Sequence, residues 1–206
     1  MIYISGSAKA LVNLYGSNYL ATLYSPRQGT HIALGERWAA DNDCYTLGDQ
    51  FNLDVYLTWL ECCRPYQRNC LFATAPDVVG DASATLERSM PVLPMLRDLG
   101  YKPAFVAQDG IRIQDIPWEA FDCLFIGGTT EWKLSPDARL VAKLAKGVGK
   151  WVHMGRVNSA RRFLIAYKWG CHSVDGNYLR FGPDTNFPRL KQWLRINEQT
   201  VMEGVL

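Results

Sequence analysis

The sequence predicts a parallel α/β protein, best fitted by a compact single-domain (β/α)8 TIM barrel over residues 1–206, with an open doubly wound sheet as the second choice. Three observations predict it. Short apolar runs alternate with longer segments of helical apolar spacing, most of the runs close on Gly, Asp or Gln, and no Ser/Gly/Pro-rich linker divides the chain. Strand and helix repeated at this spacing give parallel pairing through right-handed crossovers.

Residues 2–4 (Ile-Tyr-Ile) form a first short run closed by Ser5-Gly6. Residues 19–24 and 32–34 are further strand candidates, separated by the turn-rich Ser25-Pro26-Arg27-Gln28-Gly29. Trp38-Ala39-Ala40 then leads into Asp41-Asn42-Asp43. Over residues 49–62, Phe51, Leu53, Val55, Tyr56, Trp59 and Leu60 recur near helical spacing and predict an amphipathic helix.

From Cys70 the alternation is regular. Residues 70–73 predict a strand ending in Thr74-Ala75-Pro76-Asp77, and residues 81–99 a helix stopped by Gly100 and kinked where Pro91 and Pro94 interrupt it. The next strand, 103–107, ends in Gln108-Asp109-Gly110; residues 118–121 predict a helical turn. Residues 123–126 lead into Gly127-Gly128-Thr129-Thr130, after which Ser135 as N-cap and Pro136 at the first helical position open a helix to Lys146. Residues 151–154 end in Gly155-Arg156, residues 159–169 predict a helix ended by Gly170, and residues 172–174 a strand ending in Asp175-Gly176. Residues 187–203 read as a last helix.

With 48% hydrophobic and 20% charged residues the composition is that of a globular enzyme and excludes a disordered or fibrous chain. A net charge of +2 gives no global basic field, so a nucleic-acid contact needs a local patch. Lys and Arg concentrate late, from Arg156 through Arg161, Arg162, Lys168 and Arg180 to Arg195, which makes the C-terminal third the phosphate-facing side. Six cysteines without a Cys-x-x-Cys pair argue for free, mostly buried thiols and against zinc or disulfides. The start lacks a basic region and a long apolar run, so the expectation is no signal peptide, no membrane span and a cytoplasmic location.

In a parallel barrel every strand opens its C-terminal end on one face, so Asp41, Asp77, Gln108, Gly127-Gly128 and Asp175 are expected to converge. Carboxylates, an amide and exposed backbone N–H groups can hold a flat heterocycle by its edge, and a further carboxylate can attack or protonate. Each alone has a plainer reading: Asp41 and Asp77 as helix caps or solvated loop residues, Asp175-Gly176 and Gly127-Gly128 as turns. Asp109 either lines the pocket beside Gln108 or caps the next segment, and His153 and His172 read as packed histidines. Trp132 and Lys133 are candidates to stack on a base and meet a phosphate, and Arg156, Arg161 and Arg162 to grip a nucleic-acid backbone.

The ordered set Asp41-Asn42, Pro76-Asp77, Gln108-Asp109-Gly110, Gly127-Gly128, Met154-Gly155 and Ser173-Val174-Asp175-Gly176 resembles the tRNA-guanine transglycosylase (queuine tRNA-ribosyltransferase-like) superfamily, and most of all its phage branch, which exchanges guanine for a 7-deazaguanine in DNA. The resemblance covers about residues 38–182 and lies in the order of the motifs, none of which is specific alone. It implies a pentosyltransferase in which Asp175 is the nucleophile toward C1′ and Asp41 the general acid/base. It further implies that Asp77, Gln108, Asp109, Gly127 and Gly128 bind the base, with DNA and a free 7-deazaguanine such as 7-cyano-7-deazaguanine as partners. No metal and no cofactor are expected. The tRNA enzymes carry a zinc module beyond the barrel, a Cys-Val-x-Pro-Thr-Arg run after the nucleophile and Asp-Ser-Gly-Gly at the first motif. Here Gly176-Asn177-Tyr178-Leu179-Arg180 and Asp41-Asn42-Asp43-Cys44 stand in those places and no such cysteine cluster follows, so a DNA acceptor is expected ahead of tRNA. The other readings are a non-catalytic nucleic-acid-binding barrel and a barrel enzyme for a phosphorylated sugar.

Overall fold

A computed structural model of the protein describes residues 1–6 and 19–202. Among them, eight parallel strands close in sequence order into one barrel: β1 (Ile2–Ser5), β2 (Leu20–Tyr24), β3 (Trp38–Ala40), β4 (Cys70–Thr74), β5 (Pro103–Ala107), β6 (Cys123–Ile126), β7 (Trp151–Met154) and β8 (Ser173–Asp175), with β8 pairing back to β1. Closure satisfies the backbone groups that an open sheet would leave at two edges. This architecture is common among enzymes.

Helices cover the outside. They are α1 (Cys44–Leu47) and α2 (Leu53–Cys62) after β3, α3 (Ala82–Ser89) and α4 (Val92–Asp98) after β4, α5 (Thr130–Lys133) and α6 (Pro136–Gly147) after β6, α7 (Ala160–Trp169) after β7, and α8 (Pro183–Met202) after β8. Local chemistry sets their starts. Asn52, Asp81, Thr129, Ser135 and Ser159 each accept a hydrogen bond from a backbone N–H in the first turn that follows, satisfying a donor the helix cannot.

Several sequence expectations shift. Residues 32–34 form no strand: β2 and β3 are direct neighbours, Thr22 paired with Trp38, and Ile32 is instead a buried side chain of the connecting loop. The helix expected over 49–62 begins only at Leu53, because residues Gly48–Gln50 form a 3-10 turn before the Asn52 cap. Residues 81–99 split into α3 and α4 with Pro91 as the second N-cap, the break expected from its missing N–H. The helical turn near 118–121 is a plain turn, and the 3-10 segment lies at Ile113–Asp115. Asp175 is the last residue of β8 rather than the residue after it, and α8 begins at Pro183.

Side-chain alternation divides the core in two. Ile2, Ile4, Ala21, Ala39, Phe72, Ala104 and Cys123 fill the barrel interior with Leu23, Phe125 and Trp151 against them. The residues between them face the helices: Tyr3, Leu20, Trp38, Phe105, Leu124, Val152 and Val174 join the larger outer core. Trp38, fully buried, meets Tyr24, Trp59 and Tyr101 edge-on at ring-centroid distances of 6.2, 6.1 and 6.2 Å, and its indole N–H donates to Tyr66 O. All six cysteines are unpaired and only Cys62 is exposed; burial pushes the Cys44, Cys63 and Cys171 thiols up to about 12. No helix among the described residues is long and apolar enough to cross a membrane.

Candidate active site

The inward parity of the strands continues past their ends. Ala39 is followed two residues on by Asp41, Phe72 by Thr74, Ala104 by Val106 and then Gln108, Cys123 by Phe125 and Gly127, His153 by Gly155, and Ser173 by Asp175. Each of these later residues lines one cleft of about 460 Å³ at the C-terminal mouth of the barrel. Asp77 joins them from the loop after β4. Of the residues expected from sequence, Asp41, Asp77, Gln108, Gly127, Gly128, Lys133, Arg156 and Asp175 therefore meet in a single place.

Four carboxylates line this cleft, Asp41, Asp43, Asp77 and Asp175, and three of them differ in their surroundings. Asp175 is 8% exposed; burial alone would raise its pKa, but His153, the Arg156 backbone N–H bonded to Oδ1 and the Lys133 ammonium outweigh burial and hold it below the ordinary value. Asp41 is moved the other way, to about 7, chiefly by desolvation and further by the charges of Asp175, Asp43 and Asp77, against a 2.7 Å hydrogen bond from the Asp43 N–H. Asp77 is also raised by burial, although Asn42 Nδ2 donates to its Oδ1 at 3.1 Å and Gln108 Nε2 to its Oδ2 at 2.6 Å.

Gln108 is the hub of the base of this cleft. Its carbonyl oxygen accepts from Gly80 N at 3.0 Å and Gly128 N at 2.7 Å while its amide holds Asp77, leaving one amide hydrogen uncommitted by these contacts. The Gly128 N–H, expected to meet a ligand, is thus bound to Gln108. Glycine is required at 127 by space: a Cβ there would lie 2.5 Å from Val106 Cγ1 and 2.9 Å from Gln108 Nε2.

Lys133 is 2% exposed and donates to Gly155 O at 2.7 Å. Desolvation, with the neighbouring Arg156 charge, lowers its pKa to about 7 against the pull of Asp175. It is a buried cation beside Asp175 rather than a surface phosphate contact. Arg156, in the left-handed region at φ 58°, donates from its side chain to Gly128 O and lies 4.9 Å from the Tyr45 ring centroid.

Four expected site residues fall elsewhere. Asp109 has the outward parity, one residue after Gln108, and is absent from the cleft wall; it accepts from Thr129 N at 2.7 Å and Thr129 Oγ1 at 2.5 Å, so it fixes the loop that starts α5. Trp132 packs behind Gly128, where a Cβ would lie 2.6 Å from its ring, and does not line the cleft. Arg161 is exposed on α7 outside the cleft, and Arg162 supports it indirectly by donating to Arg156 O at 3.2 Å.

In comparison with known proteins, the chain matches no family model and no curated protein. The site is defined by its own geometry. Residues that sequence reasoning left unassigned complete the rim, Ser25, Arg27 and Gln28 after β2, Tyr45 from α1 and Asn177 after β8, and Arg180, one of the late basic residues expected to face phosphate, joins them. The strand-end rule that selects Asp41 reaches residues 25–28 as well, since they follow β2 directly. Tyr45 carries no such signal, because a 66% exposed tyrosine on a four-residue helix is indistinguishable in sequence from surface. Among the described residues no group of three or more His, Cys, Asp or Glu is placed to hold a metal ion.

Proposed function

We propose that this protein exchanges guanine in DNA for a 7-deazaguanine base through a covalent aspartyl-glycosyl intermediate. One observation carries the proposal: two carboxylates in one purine-sized cleft have opposite proton affinities, Asp175 held ionised and Asp41 poised at about 7. An ionised carboxylate suits a nucleophile, and a carboxyl that titrates near neutrality suits a proton shuttle.

The Asp175 carboxylate attacks C1′ of the target nucleotide as the glycosidic C–N bond breaks, and the bonding pair leaves with guanine. Asp41 gives the departing base its proton. The incoming base returns a proton to Asp41, attacks C1′ and releases Asp175 as the carboxylate. Asp77, fixed by Asn42 and Gln108, accepts hydrogen bonds from the base N1–H and exocyclic amine, a donor pair adenine lacks. The remaining Gln108 amide hydrogen suits O6. Tyr45, exposed at the rim over Arg156, offers a ring for stacking on a nucleotide extruded from the strand, and Arg27 and Arg180 offer charge for its phosphates.

Incubating the protein with guanine-labelled DNA and 7-cyano-7-deazaguanine should release guanine, and Asp175→Asn should release none and form no adduct. Release from tRNA and not from DNA would assign the acceptor to tRNA; no release from either would refute the exchange.

A further inference from the structure

His153, on an inward position of β7, is fully buried against Phe72 and Phe125, whose ring centroids are 5.0 and 4.4 Å from its own and 6.2 Å from each other. Its Nε2 has no hydrogen-bond partner and lies 3.8 Å from Asp175 Oδ1, inside ion-pair range and beyond hydrogen-bond length. A buried polar nitrogen kept against two aromatic rings calls for a reason.

The other ring nitrogen supplies it. His153 and Ser173 are register partners on β7 and β8, and Nδ1 is 2.8 Å from Ser173 Oγ. That hydroxyl already accepts from the Trp151 indole N–H at 2.8 Å. Indole can only donate, so Ser173 Oγ is the acceptor in that bond, and its own O–H is available to donate to His153 Nδ1. In that arrangement the neutral ring carries its proton on Nε2, on the side of Asp175.

We propose that Trp151, Ser173 and His153 form a hydrogen-bonded series that fixes the His153 tautomer and aims its Nε2–H at the Asp175 carboxylate, making His153 a positioning residue for that group. Its catalytic meaning rests on the reading of Asp175 as the nucleophile: the N–H favours the carboxylate both before attack and when it is released from the sugar. The other groups facing Asp175 are Lys133 from α5, the Arg156 N–H after β7 and Asp41 after β3, and Tyr3 on the outer side of β1 is close enough to feel its charge.

The test separates this arrangement from the activity. In full-length protein labelled with 13C at aspartate carboxyls, with Asp175 assigned through Asp175→Asn, the Asp175 titration is followed in wild type, His153→Phe, His153→Gln and Ser173→Ala. Phenylalanine keeps an aromatic ring against Phe72 and Phe125 without an N–H and should raise the proton affinity of Asp175 roughly tenfold. Glutamine, which can return an N–H toward Asp175, should restore most of the difference. Ser173→Ala keeps the imidazole but releases its tautomer and should give an intermediate value, so it decides the matter if His153→Phe does not fold. An unchanged Asp175 titration in the folded variants overturns the proposal, whether or not the wild type releases guanine. Where it does, the acid limb of the exchange rate should move to higher pH in His153→Phe and return in His153→Gln.

Discussion

Replacing Asp41 by Asn tests the electrostatics of the cleft most directly. A carboxyl moved from 3.8 to about 7 binds its proton more than a thousandfold more tightly in the folded chain, equivalent to about 4 kcal/mol. The sign follows from proton counts. Between pH 3.8 and about 7 the unfolded chain has released this proton and the folded chain retains it, so folding stability falls as pH rises through that window and the full cost is present above it. Asn at this position carries no charge at any pH and can still accept the Asp43 N–H. Urea unfolding at pH 4 and pH 8.5 should therefore show the variant gaining on wild type by about 2–4 kcal/mol, the lower figure allowing for relaxation and water entry. On the proposed exchange, guanine release should fall at the same time, since Asn cannot carry the proton assigned to Asp41. Parallel stability profiles for the two proteins would refute the reasoning, because they would mean that Asp41 ionises as readily in the fold as in the unfolded chain.

Lys133→Met should stabilise the protein most below pH 7, where the folded chain buries the ammonium, and progressively less toward pH 10.5, because between the two values folding must still strip a proton that the unfolded lysine keeps; thermal unfolding across that range reads it. The same variant should slow the proposed exchange roughly tenfold by removing a cation that helps keep Asp175 ionised. Gly127→Ala should cost about 1–3 kcal/mol and displace Gln108, given a Cβ 2.5 Å from Val106; denaturant unfolding and loss of base binding check it. Gln108→Leu leaves the Gly80 and Gly128 N–H groups without this acceptor and Asp77 with Asn42 but without its Gln108 donor, and should destabilise by about 3 kcal/mol, whereas Asp109→Ala should loosen the 127–130 loop, seen as faster amide exchange at Thr129, with base binding weakened less than by Gln108→Leu.

The strand-and-helix alternation made the barrel legible, because the periods of apolar residues are local: Cys123–Ile126 and Pro136–Gly147 announce themselves without reference to anything distant. The first third was harder to read. Residues 32–34 look like a strand, yet β2 and β3 pair directly, and which of two apolar runs enters a closed barrel is settled by register across the whole sheet.

The site divides along the same line. Sequence by itself determined that Asp41, Asp77, Gln108, Gly127 and Asp175 stand at strand ends, and parallel closure alone is enough to bring strand ends to one face. Only the tertiary structure decided what each does there. Gln108 and Asp109 are adjacent in the chain, yet a single step of the pleat sends one into the cleft and the other to Thr129. Lys133 resembles a solvated helix charge until α5 folds it under Gly155, and His153 passes for core until Ser173 and Asp175 are seen on either side of its ring. Burial, proton affinity and hydrogen-bond partnership belong to pairs of residues far apart in sequence, and such pairs exist only once the chain has closed.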